Sequence, residues 1–212
     1  MKRYLAIFYA VLIFTLVLQS CDNGFESLNT NPDAVSDVTP GYIFSLSQLD
    51  VLNPAVFSSH VTTSGGFMQH FATYKDVPSL GDRYTWSQGG YPYDFFNTIY
   101  PNGVKEIGEV IRAVSNDSKN INMLSAARVW RVLMMQQITD FYGDVPYSEA
   151  GKGYSETILT PKYDEQSAIY ADMLNELDEA ANSFDASKAT FGTSDLLYDG
   201  KDRKSTRLNS SH

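Results

Sequence analysis

The sequence predicts an all-α helical-repeat architecture, and three observations carry the prediction. Segments 104–115, 122–142 and 164–184 each place apolar residues at helical spacing. No convincing strand appears after the first 20 residues. The longest segment, 122–142, is apolar nearly all round, as a helix buried between other helices is. Antiparallel helix pairs are the natural packing for such elements.

The chain begins with Lys2 and Arg3, then an apolar run from Tyr4 to Leu18 broken only by Thr15. Leu18-Gln19-Ser20-Cys21 follows. A positive start, an apolar core and a small residue before the cut make residues 1–20 a secretory signal. The alternative is a permanent membrane helix. It is disfavoured because a span needs roughly 20 apolar residues and because Asp22, Asn23, Gly24 and Glu26 follow at once. Cys21 is the chain's one cysteine, so no internal disulfide can form. Nothing C-terminal to it is apolar and periodic, which argues against a buried core thiol. The Leu-x-Ser-Cys pattern resembles a bacterial lipobox. That resemblance implies cleavage before Cys21 and a thioether-linked diacylglycerol upon it. Each buried methylene contributes roughly 0.8 kcal/mol, so two or three acyl chains anchor a protein durably.

Residues 21–39 read as an extended leader, with Asn29-Thr30-Asn31-Pro32-Asp33 dense in turn formers. A helical domain is expected over residues 40–198. Its first helix starts at Thr39-Pro40, with Thr39 as cap and Pro40 at the first helical position. It runs through Ile43, Leu46 and Leu49 toward Leu52, and Asn53-Pro54 stops it. A second helical stretch is expected from Pro54 to about Tyr74, with Gly65-Gly66 as its weak point. Residues 75–103 hold many prolines, glycines and aromatics and read as an irregular loop, and loops this long are usually functional or disordered.

Val104, Ile107, Ile111 and Val114 then fall on one face of a short helix, with Lys105 and Glu109 able to pair across a turn. Asn116-Asp117-Ser118 ends it. The helix over 122–142 carries Leu124, Ala127, Trp130, Leu133, Met134, Ile138 and Phe141, which places Trp130 in the core. Gly143 is the expected left-handed cap, and Tyr142 and Tyr147 pack that turn. The last clear helix, 164–184, has an apolar stripe of Tyr170, Met173, Leu174, Leu177, Ala181 and Phe184. Asp164 and Glu165 suit its positive end, and its other carboxylates form a solvated face.

The charge balance excludes some functions. There are 25 Asp plus Glu against 16 Lys plus Arg, a net charge of −9. Removing residues 1–20 takes away Lys2 and Arg3, which moves the balance to −11. No basic stripe appears, so nucleic acid is not an expected partner. No cofactor is implied. His60, His70 and His212 lack metal-ligand spacing, and each reads as a solvated or locally bonded histidine. Ser64-Gly65-Gly66 lacks the glycine spacing of a nucleophile elbow, and Gly89-Gly90 lacks the strand and helix of a phosphate loop. No catalytic or metal site is expected, and the chain does not read as an enzyme.

Three stretches resemble one family. Phe25-Glu26-Ser27-Leu28-Asn29-Thr30-Asn31-Pro32 follows closely on Cys21. Residues 127–150 read ARVWRVLMMQQITDFYGDVPYSEA, and residues 160–180 read TPKYDEQSAIYADMLNELDEA. Together they are similar to the SusD/RagB family of nutrient-binding outer-membrane lipoproteins of Bacteroidetes-type bacteria, most of all its SusD-like branch. The resemblance implies tetratricopeptide-like helix pairs. It also implies capture of oligosaccharide, or less often peptide, on the outer face of the outer membrane, and a partnership with a TonB-dependent transporter of the SusC type. Members usually run to more than twice this length, so the chain reads as the N-terminal part of a longer protein.

Sugar rings present apolar C–H faces that stack on aromatic rings, while polar neighbours fix the hydroxyls. The segment Tyr74–Tyr100 has that composition. Trp86 is the first candidate, then Tyr84, Tyr91 and Tyr93, with Arg83 and Asp82 as hydroxyl partners. The competing role for each ring is to pack the segment onto the helices. Residues 199–212 bring Lys201, Arg203, Lys204 and Arg207 into an acidic chain and break the apolar period. They read as an adapter-derived, non-native tail, or alternatively as a genuine disordered one. Two other functions compete with glycan capture: an assembly lipoprotein that docks envelope proteins without a ligand, and an exported hydrolase, which would need paired carboxylates in an aromatic cleft.

Overall fold

The structure, a computed structural model, describes residues 3–4, 39–52, 59–72, 74, 81–85 and 91–200, with the backbone alone of Tyr91 and Pro92. The signal segment's cut site, Cys21, the leader up to Val38, Asn53-Pro54, Trp86 and residues 201–212 lie outside the described residues.

From Thr39 onward the order is α1 (Pro40–Val51), a wide π-helical turn at His60–Gly65, a 3₁₀ turn at Gly81–Arg83, α2 (Tyr91–Ile99), a second π-helical turn at Tyr100–Val104, and α3 (Lys105–Val114). A 3₁₀ turn at Ser118–Asn120 leads into α4 (Ile121–Tyr142). Then come β1 (Val145–Pro146), β2 (Tyr163–Asp164), α5 (Gln166–Ser183) and a last 3₁₀ turn at Gly192–Ser194. Helix α4 packs on α5 and on α3, and α1 lies against α3. The core is built from Phe95, Ile99, Ile107, Met134, Met135, Ile138 and Ile169, all essentially inaccessible to solvent. Trp130 is buried there as the sequence predicts.

Several expectations are corrected. Helix α1 has its predicted span, with Pro40 at the first position, but the Thr39 side chain makes no capping bond. Its leucines face outward: Leu46, Leu49 and Leu52 are exposed, while Phe44, Ser47, Gln48 and Val51 are buried. The reason lies 147 residues away in sequence. Phe44 stacks on Phe191 with ring centroids 4.1 Å apart and planes within 10°. Gln48 Nε2 donates to Asp195 Oδ1 at 3.0 Å, and Gln48 Oε1 accepts from the Leu196 amide at 2.8 Å. Asp195 in turn accepts from the amides of Leu197, Tyr198 and Gly200. Buried polar groups require partners, and this face of α1 is the one that has them. Gly200 therefore joins the loop that clamps α1, although sequence places residues 199–200 at the start of the tail.

The segment 75–103 is not one irregular loop. Residues Tyr91–Ile99 form α2, and Pro101 sits in the wider turn that follows. A π-helical turn re-spaces the backbone bonds and so accommodates a residue without an N–H. Phe95 and Ile99 lie four apart on the buried face. Gly103 meets Met134 so closely that a Cβ there would come within 3.2 Å of the methionine methyl. The aromatics of α2 interlock with those of α4: Phe95 against Phe141 and Tyr142, and Phe96 edge-on to Tyr142. His60 joins this cluster, tilted on Phe95 at 5.1 Å and edge-on to Phe141 at 5.4 Å. It is a packed ring, and burial pushes its pKa down.

Other differences are local. The second helical stretch ends near Phe67, where Met68–His70 turn. Glu109 pairs with Arg112, one turn on, rather than with Lys105. Gly143 has φ +80° and ψ −121°, a glycine conformation outside the left-handed helical well. Two strands of two residues do form, pairing Val145 with Asp164 and Pro146 with Tyr163. The buried stripe of α5 is Ile169, Met173 and Ala180, one position round from the predicted one, and Leu174 is exposed.

Helices α1 and α3 also meet through carboxyl groups. Glu106 is half-buried, and desolvation together with a hydrogen bond and repulsion from Asp50 pushes its pKa up to about 7. A carboxyl raised in the fold keeps its proton where the unfolded chain has lost it. The associated stability is present at about pH 4.5 and is lost as pH rises through about 7. Glu106→Gln removes this dependence. Its unfolding free energy relative to wild type, read from denaturant melts, is expected to rise between pH 4.5 and pH 8 by an amount on the order of 1 kcal/mol once screening of a half-exposed group is allowed for. A difference that stays flat with pH contradicts the assignment. Gln48→Ala takes one donor from the buried Asp195 carboxylate and leaves the part-buried Leu196 amide without its acceptor. Denaturant unfolding should show a loss of about 1–3 kcal/mol.

Candidate functional site

The predicted residues on the 3₁₀ turn are positioned by two glycines. Gly66, in the helical stretch, and Gly81 approach so closely that a Cβ on Gly81 would lie 2.1 Å from the Thr62 carbonyl. Gly66, a weak point of the stretch by sequence, is thus a crossing point, and the helix runs on through it to Phe67. Gln69 holds the turn from the other side. Its Nε2 donates to Gly66 O at 3.1 Å and to Asp82 O at 3.0 Å. Both Gln69 and Tyr84 take positive φ, 58° and 54°. Such conformations cost of order 1–3 kcal/mol in non-glycine residues and cluster where a side chain must be aimed. The aim of Tyr84 is outward: the residue is 65% exposed, with its ring tilted toward Phe67 at 6.1 Å.

Asp82, Arg83 and Tyr84 are therefore brought together on one short turn, with Arg83 exposed and Asp82 half-buried. Tyr93 stands apart from them in sequence, on α2, with its ring 60% exposed. Tyr91 contributes the first residue of α2, but its side chain, like Trp86, lies outside the described residues. Tyr84 and Tyr93 do not serve core packing, whereas Phe95 does, and Phe96 packs on Tyr142 and on Tyr100.

Sequence reasoning missed a larger feature. A cleft of about 920 Å³ opens between α3, α4, α5 and the segment after β1. Arg128 reaches Glu176 at 3.5 Å and Glu179 at 2.6 Å, and Arg131 reaches Glu176 at 3.4 Å. The Arg131 guanidinium also lies over the Tyr147 ring at 4.6 Å, and the Tyr147 hydroxyl donates to Asp172 at 2.6 Å. Burial and this carboxylate push the Tyr147 pKa up. The acidic face of α5 is thus not merely solvated. Its signal in the sequence is arginines three apart on an otherwise apolar helix, opposed by glutamates three apart on the next. The charges in this cleft largely neutralise one another, which makes it an inter-helix brace. Among the described residues no group of three or more His, Cys, Asp or Glu is arranged to hold a metal ion. No described helix is long and apolar enough to cross a membrane.

A family profile described as starch-binding, associating with outer membrane, matches residues 32–211. The chain belongs to the SusD-like family. Its fold is similar to that of a SusD-like protein of Bacteroidetes AC2a, with a TM-score of 0.70 and 27% identity over 81% of this chain and 31% of that one. It is also similar to a chitin-binding protein, with a TM-score of 0.71 and 32% identity over 80% of this chain and 36% of that one. A SusD homolog from Parabacteroides distasonis shares the fold at 19% identity and a TM-score of 0.64, over 80% of this chain and 33% of that one. The chain spans about a third of the length of these SusD-like structures. No match is found among curated proteins.

In the SusD-like chain, Gly81→Ala tests the aiming of the 82–84 turn. The added methyl has backbone on its far side and must displace the turn, a change that costs about 1–3 kcal/mol. Limited proteolysis should show faster cutting near residue 82, and a cleavage pattern like wild type would count against the close crossing.

Proposed function

We propose that this SusD-like chain is the glycan-capturing part of a cell-surface lipoprotein. In this reading Cys21 carries the lipid anchor on the outer face of the outer membrane. The protein binds oligosaccharide and hands it to a SusC-type TonB-dependent transporter. The observation that carries the proposal is the family match across residues 32–211. Two features support it physically. Tyr84 and Tyr93 present exposed rings that the core does not use, and exposed rings are what the C–H faces of sugars stack on. Arg83 and Asp82 stand on the same turn as Tyr84 and offer a donor and an acceptor to ring hydroxyls. Trp86 and Tyr91, close in sequence, are proposed to extend the platform. The chitin-binding relative makes an amino-sugar polymer one of the glycans to try.

The test is affinity electrophoresis through gels containing starch, soluble chitin oligomers and other glycans. Retention by at least one glycan is expected, and Tyr84→Ala or Trp86→Ala should weaken it roughly tenfold, as loss of a stacking ring with its buried area does. Migration unaffected by every glycan would overturn the proposal. Mass spectrometry of the mature N-terminus checks the anchor, and an unmodified Cys21 removes it from the reading.

A further inference from the structure

We propose that a second sugar-stacking site lies in the groove between the C-terminal end of α2 and the segment 150–161, and that it takes one or two pyranose units of a neutral oligosaccharide. The proposal rests on the glycan-capture reading but concerns other residues than those predicted for it. The groove encloses about 400 Å³ and is lined mostly by apolar surface. That volume is at the low end of the range of small-ligand sites, roughly 300–1,000 Å³.

Its floor is bare for a structural reason. Ala150, Gly151 and Gly153 put nothing larger than one methyl group into it. Gly151 has φ +73°, and a Cβ there would come within 3.1 Å of the Val104 carbonyl, so the position strongly favours glycine. One wall is a fixed aromatic platform. Phe96 and Tyr100 lie with ring centroids 4.5 Å apart, inclined by 38°. The Tyr100 hydroxyl donates to Pro146 O at 2.7 Å, so it is committed to the backbone. The Phe96 amide donates to the Tyr142 hydroxyl at 3.1 Å. A platform already held in this way loses little freedom when a ligand lands on it. At the opposite lip stands Tyr154, with 88% of its surface exposed. Asn97 and Lys105 supply polar groups at the edge.

Aromatic faces over an apolar floor, with a few polar groups at the rim, match the two surfaces of a pyranose: C–H bonds on its face and hydroxyls around its edge. A charged ligand finds no paired cations here, and a long acyl chain would find the groove too open to exclude water. The chain's membership of a family described as starch-binding favours sugar over a proline-rich peptide, the other occupant that rings and prolines could hold.

Tyr154 is the residue to change, because its exposure means that substitution leaves the core intact. In affinity electrophoresis on the glycan that retains wild type, Tyr154→Ala should weaken retention at least about fivefold, and Tyr154→Phe should restore it because stacking needs the ring and not the hydroxyl. Ala150→Leu, which fills the floor, should weaken retention similarly. Unchanged retention in both Tyr154→Ala and Ala150→Leu, while Tyr84→Ala weakens it, overturns this site and leaves the capture reading standing. Wild type that no glycan retains overturns both. A proline-rich peptide that quenches tyrosine fluorescence in wild type and not in Tyr154→Ala, where no sugar does so, overturns the sugar assignment.

Discussion

Helix α4 must be covered on nearly every side, and the rest of the fold is arranged to cover it. Its 22 residues bury Ala127, Val129, Trp130, Val132, Met134, Met135 and Ile138, which no single neighbouring helix can reach. Helix α5 takes one side and α3 another, and α2 closes the C-terminal end with its aromatics. Burial of one large apolar side chain contributes about 1.5–3 kcal/mol, so leaving any of these sides open would cost more than a marginally stable domain has in reserve. The ionic brace between α4 and α5 follows from the same constraint. Arg128 and Arg131 sit where the apolar coat of α4 is interrupted, and Glu176 and Glu179 neutralise them across the gap.

Two of the three sequence stretches that carry the family resemblance, 127–150 and 160–180, turn out to be the halves of one clamp. Asp144, in the turn after α4, accepts from the Gln166 amide at 2.9 Å and so caps α5. Asp164 accepts from the Ser148 amide at 2.7 Å and the Tyr147 amide at 3.3 Å. Burial works against its ionisation, yet these amides and Lys162 hold its pKa below the usual carboxylate range. Glu149 accepts from the Lys162 amide at 2.9 Å. Each segment satisfies backbone donors of the other, and the paired strands sit between them. A lone copy of either motif would leave those donors without partners. That is why the two motifs were informative in combination, and it makes them a device for joining α4 to α5 rather than a ligand site.

What the sequence disclosed follows from whether the deciding interaction is local. Helices α3, α4 and α5 were readable because their burial is periodic along their own residues. The outward turn of Leu46 and Leu49 was not readable, because Phe191 and Asp195 select the buried face of α1 from the far end of the chain. Asp164 and Glu165 looked like helix-start residues, but the cap comes from Asp144 across the clamp. Helix α2 was hidden by Pro92, Pro101 and Gly103: Pro92 falls in the first turn of the helix, where its missing N–H costs nothing, and Pro101 and Gly103 fall where the turn widens and packs tightly on Met134. Of the candidate site, the aromatic composition was legible and the division of labour was not. Composition cannot separate Phe95, wholly buried, from Tyr93, two residues earlier and mostly exposed.

That division has a physical consequence for binding. Rings that pack the core fix the backbone from which the exposed rings project. Phe95 locks α2 onto α4, and α2 with the turn that follows it then holds Tyr93, Phe96 and Tyr100 at helical spacing. The 82–84 turn is held differently, by a glycine crossing and the Gln69 side chain, with two residues kept at positive φ. A helix face offers a rigid, sequence-tolerant row of rings, while a strained turn aims one ring and its polar neighbours at a defined angle. Under the glycan-capture proposal a polymer of repeating sugars suits both, because its units present the same C–H face again and again. The aromatic content that first looked like a property of one loop is therefore better understood as two surfaces with separate supports, each open to disruption without loss of the other.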